Sequence, residues 1–200
     1  MTMRMTITRT ALALLLAACG DPGGGGNEGE VITTVTLTFT PAGGGAPISA
    51  VFDDPDGDGG GPPVVDPINL TAGGFTAAVK FENRLETPPE DITVEVQDES
   101  DQHQVFFTGS AVDGPAASNP AAPLVHAYAD TDANGLPIGL ANTITARTGT
   151  GQLVLTLKHL PPLDGNAQKT SDLAARVTAN GINSIAGDTD ASVSFPVAVP

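Results

Sequence analysis

Apolar and polar residues alternate along much of the chain beyond residue 30. The first such run, residues 31–40, is VITTVTLTFT, so that one face is mostly apolar and the other mostly threonine. A period of two with many β-branched residues is typical of a β-strand. The same alternation predicts further strands at residues 75–82, 92–97, 153–158 and 192–199.

The segments between these runs are rich in Gly, Pro, Asp and Asn, which is turn chemistry. Residues 171–178 are the one stretch that could form a short helix. Short strands separated by turns at regular spacing predict an all-β fold. We expect an antiparallel Ig-like β-sandwich of about 7–10 strands, formed as a single domain by residues 31–200.

A weak internal repeat relates two segments of the chain at an offset of 76 positions. PISAVFDDPDGDG, residues 47–59, aligns with PLVHAYADTDANG, residues 123–135. Each segment is a predicted strand followed by an acidic turn. The repeat predicts that the sandwich consists of two pseudo-symmetric halves.

The N-terminus has the features of a bacterial lipoprotein signal. Arg4 and Arg9 precede the apolar run ALALLLAA, whose 8 residues are fewer than the about 20 that a membrane-spanning helix needs. LAAC, residues 16–19, resembles a lipobox, which implies cleavage after residue 18 and acylation of Cys19. A Gly-rich tether, residues 19–30, then leads to the domain. The alternative is an ordinary secreted protein in which this one Cys occurs by chance.

The predicted location is the outer membrane, with the domain facing either the periplasm or the cell exterior. Gly20, rather than Asp, follows Cys19, and Asp is the residue that retains such lipoproteins at the inner membrane of enteric bacteria. Loss of residues 1–18 removes two arginines and no acidic residue, which changes the formal charge from −15 to −17. This charge argues against nucleic acid as a partner, because contacts to phosphate require Lys and Arg.

Both acidic turns match the first half of a Ca²⁺-binding loop, D-x-D-x-[DN]-G. The candidate ligands are Asp54, Asp56 and Asp58 in the first turn and Asp130, Asp132 and Asn134 in the second. Both turns lack the bidentate Glu expected at position 12, where Val65 and Ala141 stand. The alternative is that they are turns only, because Asp-Gly and Asn-Gly are strong hairpin signals.

The three histidines have no regular ligand spacing. His126 lies on the apolar face of its predicted strand and is expected to pack in the core as a neutral side chain. His103 and His159 are expected at a loop and a strand rim beside carboxylates, where they could bind Zn²⁺ or Cu²⁺. The alternative is that both are solvated residues without a metal.

Seven stretches together resemble a family of small bacterial lipoproteins without a characterised function, which are often labelled "type 1 periplasmic binding fold superfamily" proteins. The label implies two α/β lobes, whereas the alternation in this chain predicts β-structure. The resemblance supplies no catalytic or ligand residues. The stretches are ITTVTLTFTP, FDDPDGDGG, LETPPEDITVEV, HQVFFT, YADTDANGLPIGL, LVLTLKHLPP and GDTDASVSFPV.

No enzyme motif occurs, since the chain has no G-x-S-x-G, HExxH or P-loop sequence. The leading hypothesis is a non-enzymatic, membrane-anchored binding or accessory module that holds a divalent cation and assists an outer-membrane transporter or another envelope protein. Ca²⁺ is the first candidate and Zn²⁺ or Cu²⁺ the second. The main alternative is a structural or adhesive surface protein. A third is an uptake-associated binder of a small organic ligand, which predicts an apolar cavity of which the sequence gives no sign.

Overall fold

The computed structural model describes residues 30–200, apart from the side chain of Asp58. The predicted signal peptide, Cys19 and all of the predicted tether except Glu30 lie outside the described residues. The described part forms eleven strands: β1 (Thr34–Pro41), β2 (Ile48–Asp53), β3 (Val64–Val65), β4 (Ile68–Asn69), β5 (Gly73–Glu82), β6 (His103–Thr108), β7 (Val112–Asp113), β8 (Leu124–Tyr128), β9 (Ala141–Ala146), β10 (Gly149–His159) and β11 (Asp188–Val199).

The strands form two sheets. A seven-stranded sheet has the order β3-β2-β1-β5-β9-β8-β7, and a four-stranded sheet has the order β4-β11-β10-β6. Neighbouring strands are antiparallel except for β7–β8 and β4–β11, which are parallel. The prediction of an all-β fold is confirmed. The strand count exceeds the expected range because β3, β4 and β7 have two residues each, too few to show alternation in a sequence.

Both sheets contribute to one buried apolar cluster, which is the main core. Val35, Leu37 and Phe39 of β1 are fully buried, as their alternation with threonines predicts. Leu155 of β10 and Phe195 of β11 join the same cluster from the other sheet. Apolar side chains on the inward faces of both sheets leave water together, and this burial is the main favourable contribution to folding.

The prediction of a strand at residues 92–97 is wrong, because this segment forms helix α1 (Ile92–Asp98). Asp91 caps the helix by accepting a hydrogen bond from the Thr93 amide, as Asp often does at a helix start. Ile92 and Val96, four residues apart, are buried together, while Val94 is 58% exposed. Apolar residues at positions 92, 94 and 96 alternate as they would in a strand. Residues 92 and 96 are also four positions apart, which places them on one face of a helix.

The short helix expected at residues 171–178 is present as α2 (Leu173–Asn180). Leu173 and Val177 lie on its buried face and pack against Phe106 of β6 in a second, smaller apolar cluster. Among residues 30–200, neither helix is long and apolar enough to cross a bilayer.

The two repeated segments take mirrored places in the seven-stranded sheet. β2 and β8 each lie one strand in from an edge, on opposite sides of the central β5. Ala50 of β2 and its repeat partner His126 of β8 are both buried. The connections differ, because β2 follows its inner neighbour β1 along the chain, whereas β8 precedes its inner neighbour β9.

Candidate metal centre

The sheet register brings two histidines together that lie 56 positions apart in the sequence. β6 and β10 pair antiparallel, with His103 directly opposite His159. The two imidazole rings stack with their centroids 4.5 Å apart and their planes 8° apart. The structure thus places the second pair of predicted metal ligands side by side at one end of the four-stranded sheet.

The third member of this cluster is Glu99, the C-cap residue directly after helix α1. Its carboxylate Oε2 lies 3.9 Å from Nε2 of His159, and its backbone oxygen lies 3.2 Å from Nδ1 of His103. One potential ligand atom from each of Glu99, His103 and His159 lies within 4.8 Å of the other two. Glu99 carries no signal in the sequence, because only the turn between α1 and β6 brings it back to the histidines.

His103 is held in a form that can bind a metal ion. Its Nδ1–H donates to the backbone oxygen of Glu99, which leaves the lone pair of Nε2 available. Burial lowers the pKa of His103 to about 4, so the imidazole is neutral at neutral pH. Metal ions bind neutral imidazole, and the second nitrogen of a metal-binding histidine commonly donates to a carbonyl or carboxylate.

A buried carboxylate faces this lone pair. Oδ2 of Asp190, in β11, lies 3.7 Å from Nε2 of His103, and each side chain is 1% exposed. Within the described part of the chain, neither this nitrogen nor either carboxylate oxygen of Asp190 has a hydrogen-bond partner. Two buried acceptors that face each other without a donor are unfavourable. A proton or a metal cation between them would remove that penalty.

Further carboxylates surround the cluster, and two of them have a raised pKa. Burial raises the pKa of Glu30 to about 7, with further contributions from Glu95, Asp190 and Glu99. Burial also raises the pKa of Asp190, and this outweighs the opposite effects of His159 and Lys158. Grouped carboxylates in a partly buried site attract cations.

The spacing of the centre is somewhat wider than that of a metal-bound site. Donor atoms around a tetrahedral ion lie about 3.4 Å apart, as follows from metal–ligand bonds of about 2.0–2.1 Å. The observed separations of 3.7 Å to at most 4.8 Å therefore require the donors to move closer by about 0.3–1.4 Å. The stacked rings must also tilt, because their parallel planes do not direct two lone pairs at one point.

The second acidic turn uses its carboxylates to bind the chain's own backbone. The oxygens of Asp130 each accept an N–H at 2.8 Å, one from Gly139 and one from Ala141. Oδ1 of Asp132 accepts the N–H groups of Asn134 and Leu136 at 2.8 and 2.9 Å. The hydrogen bond from the Asn134 N–H to Asp132 makes an Asx-type turn, and the Leu136 N–H adds a further hydrogen bond to the same oxygen.

Asp132 also forms a buried ion pair. Its Oδ2 lies 2.9 Å from Nζ of Lys169, and the two side chains are 0% and 1% exposed. Burial alone would raise the pKa of Asp132, but Lys169 and the N–H groups of Leu136 and Asn134 outweigh it and hold the pKa below its ordinary value. The pair ties the turn to the segment before α2.

The first acidic turn is more exposed. Asp56 accepts the N–H of Gly61 at 3.1 Å and is exposed. The backbone N–H of Asp54 donates to Thr33, and its backbone oxygen accepts the N–H of Gly57. The side chain of Asp58, the third predicted ligand in this turn, lies outside the described part of the structure.

His126 packs in the core as its alternation predicts. Its ring stacks on Phe107 at 4.3 Å, and its Nε2–H donates to Oδ1 of Asn142 at 2.9 Å. Burial lowers the pKa of His126 to about 4, so it is neutral at neutral pH.

Comparison with family models, curated proteins and solved structures finds no match for this chain. The proposed function therefore depends on the chemistry of the site itself. The centre offers two imidazoles, the carboxylate of Glu99 and the facing carboxylate of Asp190.

Proposed function

We propose that this protein is a non-enzymatic, membrane-anchored binding module that holds one divalent transition-metal ion at Glu99, His103 and His159, with Asp190 as the facing carboxylate. One observation carries the proposal. The buried Nε2 of His103 and the buried carboxylate of Asp190 face each other at 3.7 Å without a donor for either. A cation bound there would give both groups a partner.

The donor set favours Zn²⁺ or Cu²⁺ over Ca²⁺ at this centre. Imidazole is a good ligand for Zn²⁺ and Cu²⁺, whereas Ca²⁺ takes oxygen ligands in larger number. Ca²⁺ binding remains a proposal for the first acidic turn, at Asp54, Asp56 and Asp58. Weak binding is expected there because the turn has no bidentate Glu. In the second turn, the oxygens of Asp130 and Asp132 are engaged by N–H groups and Lys169.

The proposed role is that of an accessory protein that holds a metal ion for a membrane transporter or another envelope protein. Acylation of Cys19 would anchor it to the outer membrane, and the resemblance to small bacterial lipoproteins supports this. We further propose that the two sheets face each other as an Ig-like sandwich, which the shared apolar core supports. Such a framework would hold the metal centre rigidly at one end of the four-stranded sheet.

Metal binding is tested by titrating the full chain, purified in a neutral detergent, with Zn²⁺, Cu²⁺ and Ca²⁺ in a calorimeter. Elemental analysis then gives the metal content per chain. We expect one Zn²⁺ or Cu²⁺ per chain, and Cu²⁺ with nitrogen ligands in its electron paramagnetic resonance spectrum. The variant His159→Ala should bind at least about 100-fold more weakly, because a ligand is lost.

His126→Gln is the matched control, since it removes an imidazole that lies outside the centre. It should bind the metal as the original chain does. A chain that takes up no Zn²⁺ or Cu²⁺, or a folded His159→Ala variant that binds as well as the original, would overturn the proposal. Circular dichroism of each variant shows whether it is folded.

The structural or adhesive alternative makes a different prediction about partners. If the protein acts through metal delivery, its association with a transporter should weaken in His159→Ala. If it is a structural surface protein, its association with envelope or matrix proteins should be the same in both chains. Cross-linking in cells that express each chain separates the two.

A further inference from the structure

A cavity of about 460 Å³ lies beside the metal centre. Four parts of the chain form its wall: residues 30–33 before β1, the first acidic turn, Leu85 after β5, and Asp190 of β11. Its volume is within the range of about 300–1,000 Å³ that is typical of small-molecule sites. The alternation pattern could not reveal the cavity, because most of the cavity wall comes from segments next to the strands.

The polar part of this wall is acidic. Glu30, Asp54 and Asp190 contribute carboxylates, and among the described residues that line the cavity none is basic. Two of these carboxylates, Glu30 and Asp190, lie close enough to interact, and their proximity is unfavourable unless a proton or a positive charge lies between them. This composition favours a cationic occupant and excludes an anionic one.

Asp190 is a second sign of a ligand, and it is the same carboxylate that faces His103 in the proposed metal centre. Its side chain is 1% exposed, and in the described part of the chain both of its carboxylate oxygens lack a hydrogen-bond partner. A buried carboxylate with neither oxygen satisfied is costly. An ammonium or guanidinium group in the cavity would donate the missing hydrogen bonds.

The remaining wall is apolar and partly open to solvent. Val31 and Leu85 are 53% and 51% exposed, and Ile32 lies beside them in the wall. Exposed large apolar side chains at the wall of a cavity would gain by covering part of a ligand. A ligand that complements both the acidic and the apolar parts of the wall therefore has a cationic head and a short apolar body.

We propose that this cavity binds a small organic cation, with an ammonium or guanidinium head at Glu30 and Asp190 and an aliphatic body against Val31 and Leu85. The site requires no metal ion, but it shares Asp190 with the proposed metal centre, so a metal ion and the organic cation would compete for that carboxylate. It gives the chain a second ligand class in addition to the proposed transition metal.

The proposal is tested by comparing three probes with the same chain length: n-butylammonium, 1-butanol and butyrate. Each is titrated into the full chain in neutral detergent, and binding is followed by calorimetry and by chemical-shift changes of residues 30–33 and 85. We expect the ammonium probe to bind at least about 10-fold more tightly than the alcohol, because the charged hydrogen bond is the stronger one. Butyrate should not bind.

Two isosteric variants and one control locate the site. Asp190→Asn and Glu30→Gln should each weaken n-butylammonium binding at least about 5-fold, because each removes a charge that contacts the head group. Glu86→Gln removes the same charge from an exposed neighbour of Leu85 that does not line the cavity. It should leave the affinity unchanged.

Equal affinity for the ammonium probe and the alcohol would overturn the proposal. So would an equal loss in Glu86→Gln and Glu30→Gln, because the attraction would then be a general effect of the acidic surface. His159→Ala distinguishes the two proposals. It should weaken metal binding at least about 100-fold and leave n-butylammonium binding intact, so the failure of one proposal can be told from the failure of the other.

Discussion

The two acidic turns have nearly the same sequence pattern and very different surroundings. In the second turn, Asp130 and Asp132 accept four backbone N–H groups between them, and Asp132 is paired with the buried Lys169. In the first turn, Asp56 accepts a single N–H and is exposed, and Asp54 lines the cavity. The second turn is part of the framework, whereas the first borders a candidate binding site.

The difference shows that a carboxylate pattern can serve two purposes on one scaffold. β2 and β8 hold mirrored places in the sheet, so the positions of the strands do not account for it. The partner segments do, because Lys169 from the loop before α2 reaches only the second turn.

The largest expected effect is loss of the buried ion pair. Asp132→Ala leaves the Lys169 ammonium buried without its partner, which should lower the free energy of unfolding by about 3–5 kcal/mol. The matched change in the first turn, Asp56→Ala, should lower it by about 0.5 kcal/mol or less, because the side chain is exposed. Urea unfolding measures both.

A double variant checks the cause. Lys169→Met in the Asp132→Ala background removes the unpaired charge and should restore part of the lost stability. If the two single changes at residues 56 and 132 cost the same, the proposed difference between the turns is wrong.

The next effect is a dependence on pH that His126 gives to the second repeat and that the first repeat lacks at the matched position. His126 has a folded-state pKa of about 4 and an ordinary value of about 6.5 when unfolded, so the unfolded chain binds more protons between these values. The contribution of His126 to the free energy of unfolding is fully present above about pH 6.5. It falls by up to about 3 kcal/mol as the pH drops to about 4. Ala50, its repeat partner, has no such effect.

His126→Gln should therefore flatten the slope of unfolding free energy against pH between about 6.5 and 4. His103, whose pKa is also lowered by burial to about 4, still contributes in that variant, so part of the slope should remain. Urea unfolding at several pH values provides the measurement. An unchanged slope in His126→Gln would mean that folding does not lower the pKa of His126.

A smaller effect is expected at Asp130. Asp130→Asn replaces one of its two acceptor oxygens with an NH₂ group, so either the Gly139 or the Ala141 N–H loses its partner. The expected loss is about 1–2 kcal/mol of unfolding free energy. Asp66→Asn is a useful control, because Asp66 accepts only one exposed N–H, from Val51. Equal losses would show that the turn at Asp130 is not a structural element.

The smallest effect is expected from Ca²⁺ at the turns. Millimolar Ca²⁺ should raise the melting temperature by a few degrees at most, as weak binding to the folded state allows. Asp54→Asn should remove the increase, and Asn134→Ala in the second turn should leave it. An increase that survives Asp54→Asn would place the ion elsewhere. No increase in the original chain would mean that both turns are turns only.

Much of the fold could be predicted from local patterns. The threonine-rich alternation of β1 and the leucine alternation of β10 each encode a buried face within a few residues, so their burial follows from the period alone. The segment at 92–98 failed this test because Ile92, Val94 and Val96 suit a strand, while the Asp91 cap and the burial of only Ile92 and Val96 favour a helix. Packing against the rest of the core decided between them.

The candidate site was only partly predictable. His103 and His159 could be selected as ligands by residue type, but their contact depends on the pairing of β6 with β10. Glu99 and Asp190 carried no signal in a chain with 23 acidic residues. The burial of Asp190 and the distances of both carboxylates to the imidazoles distinguish them from the other acidic residues.

By itself, the sequence determined the β-rich class, the main buried faces and the acidic turns, because alternation and turn chemistry act between near neighbours in the chain. Only the tertiary structure decided which carboxylates are buried, which are paired and which face an imidazole or a cavity. The physical reason is that the energy of a charge depends on its distance from other charges and from water. Those distances join residues that are far apart in the chain.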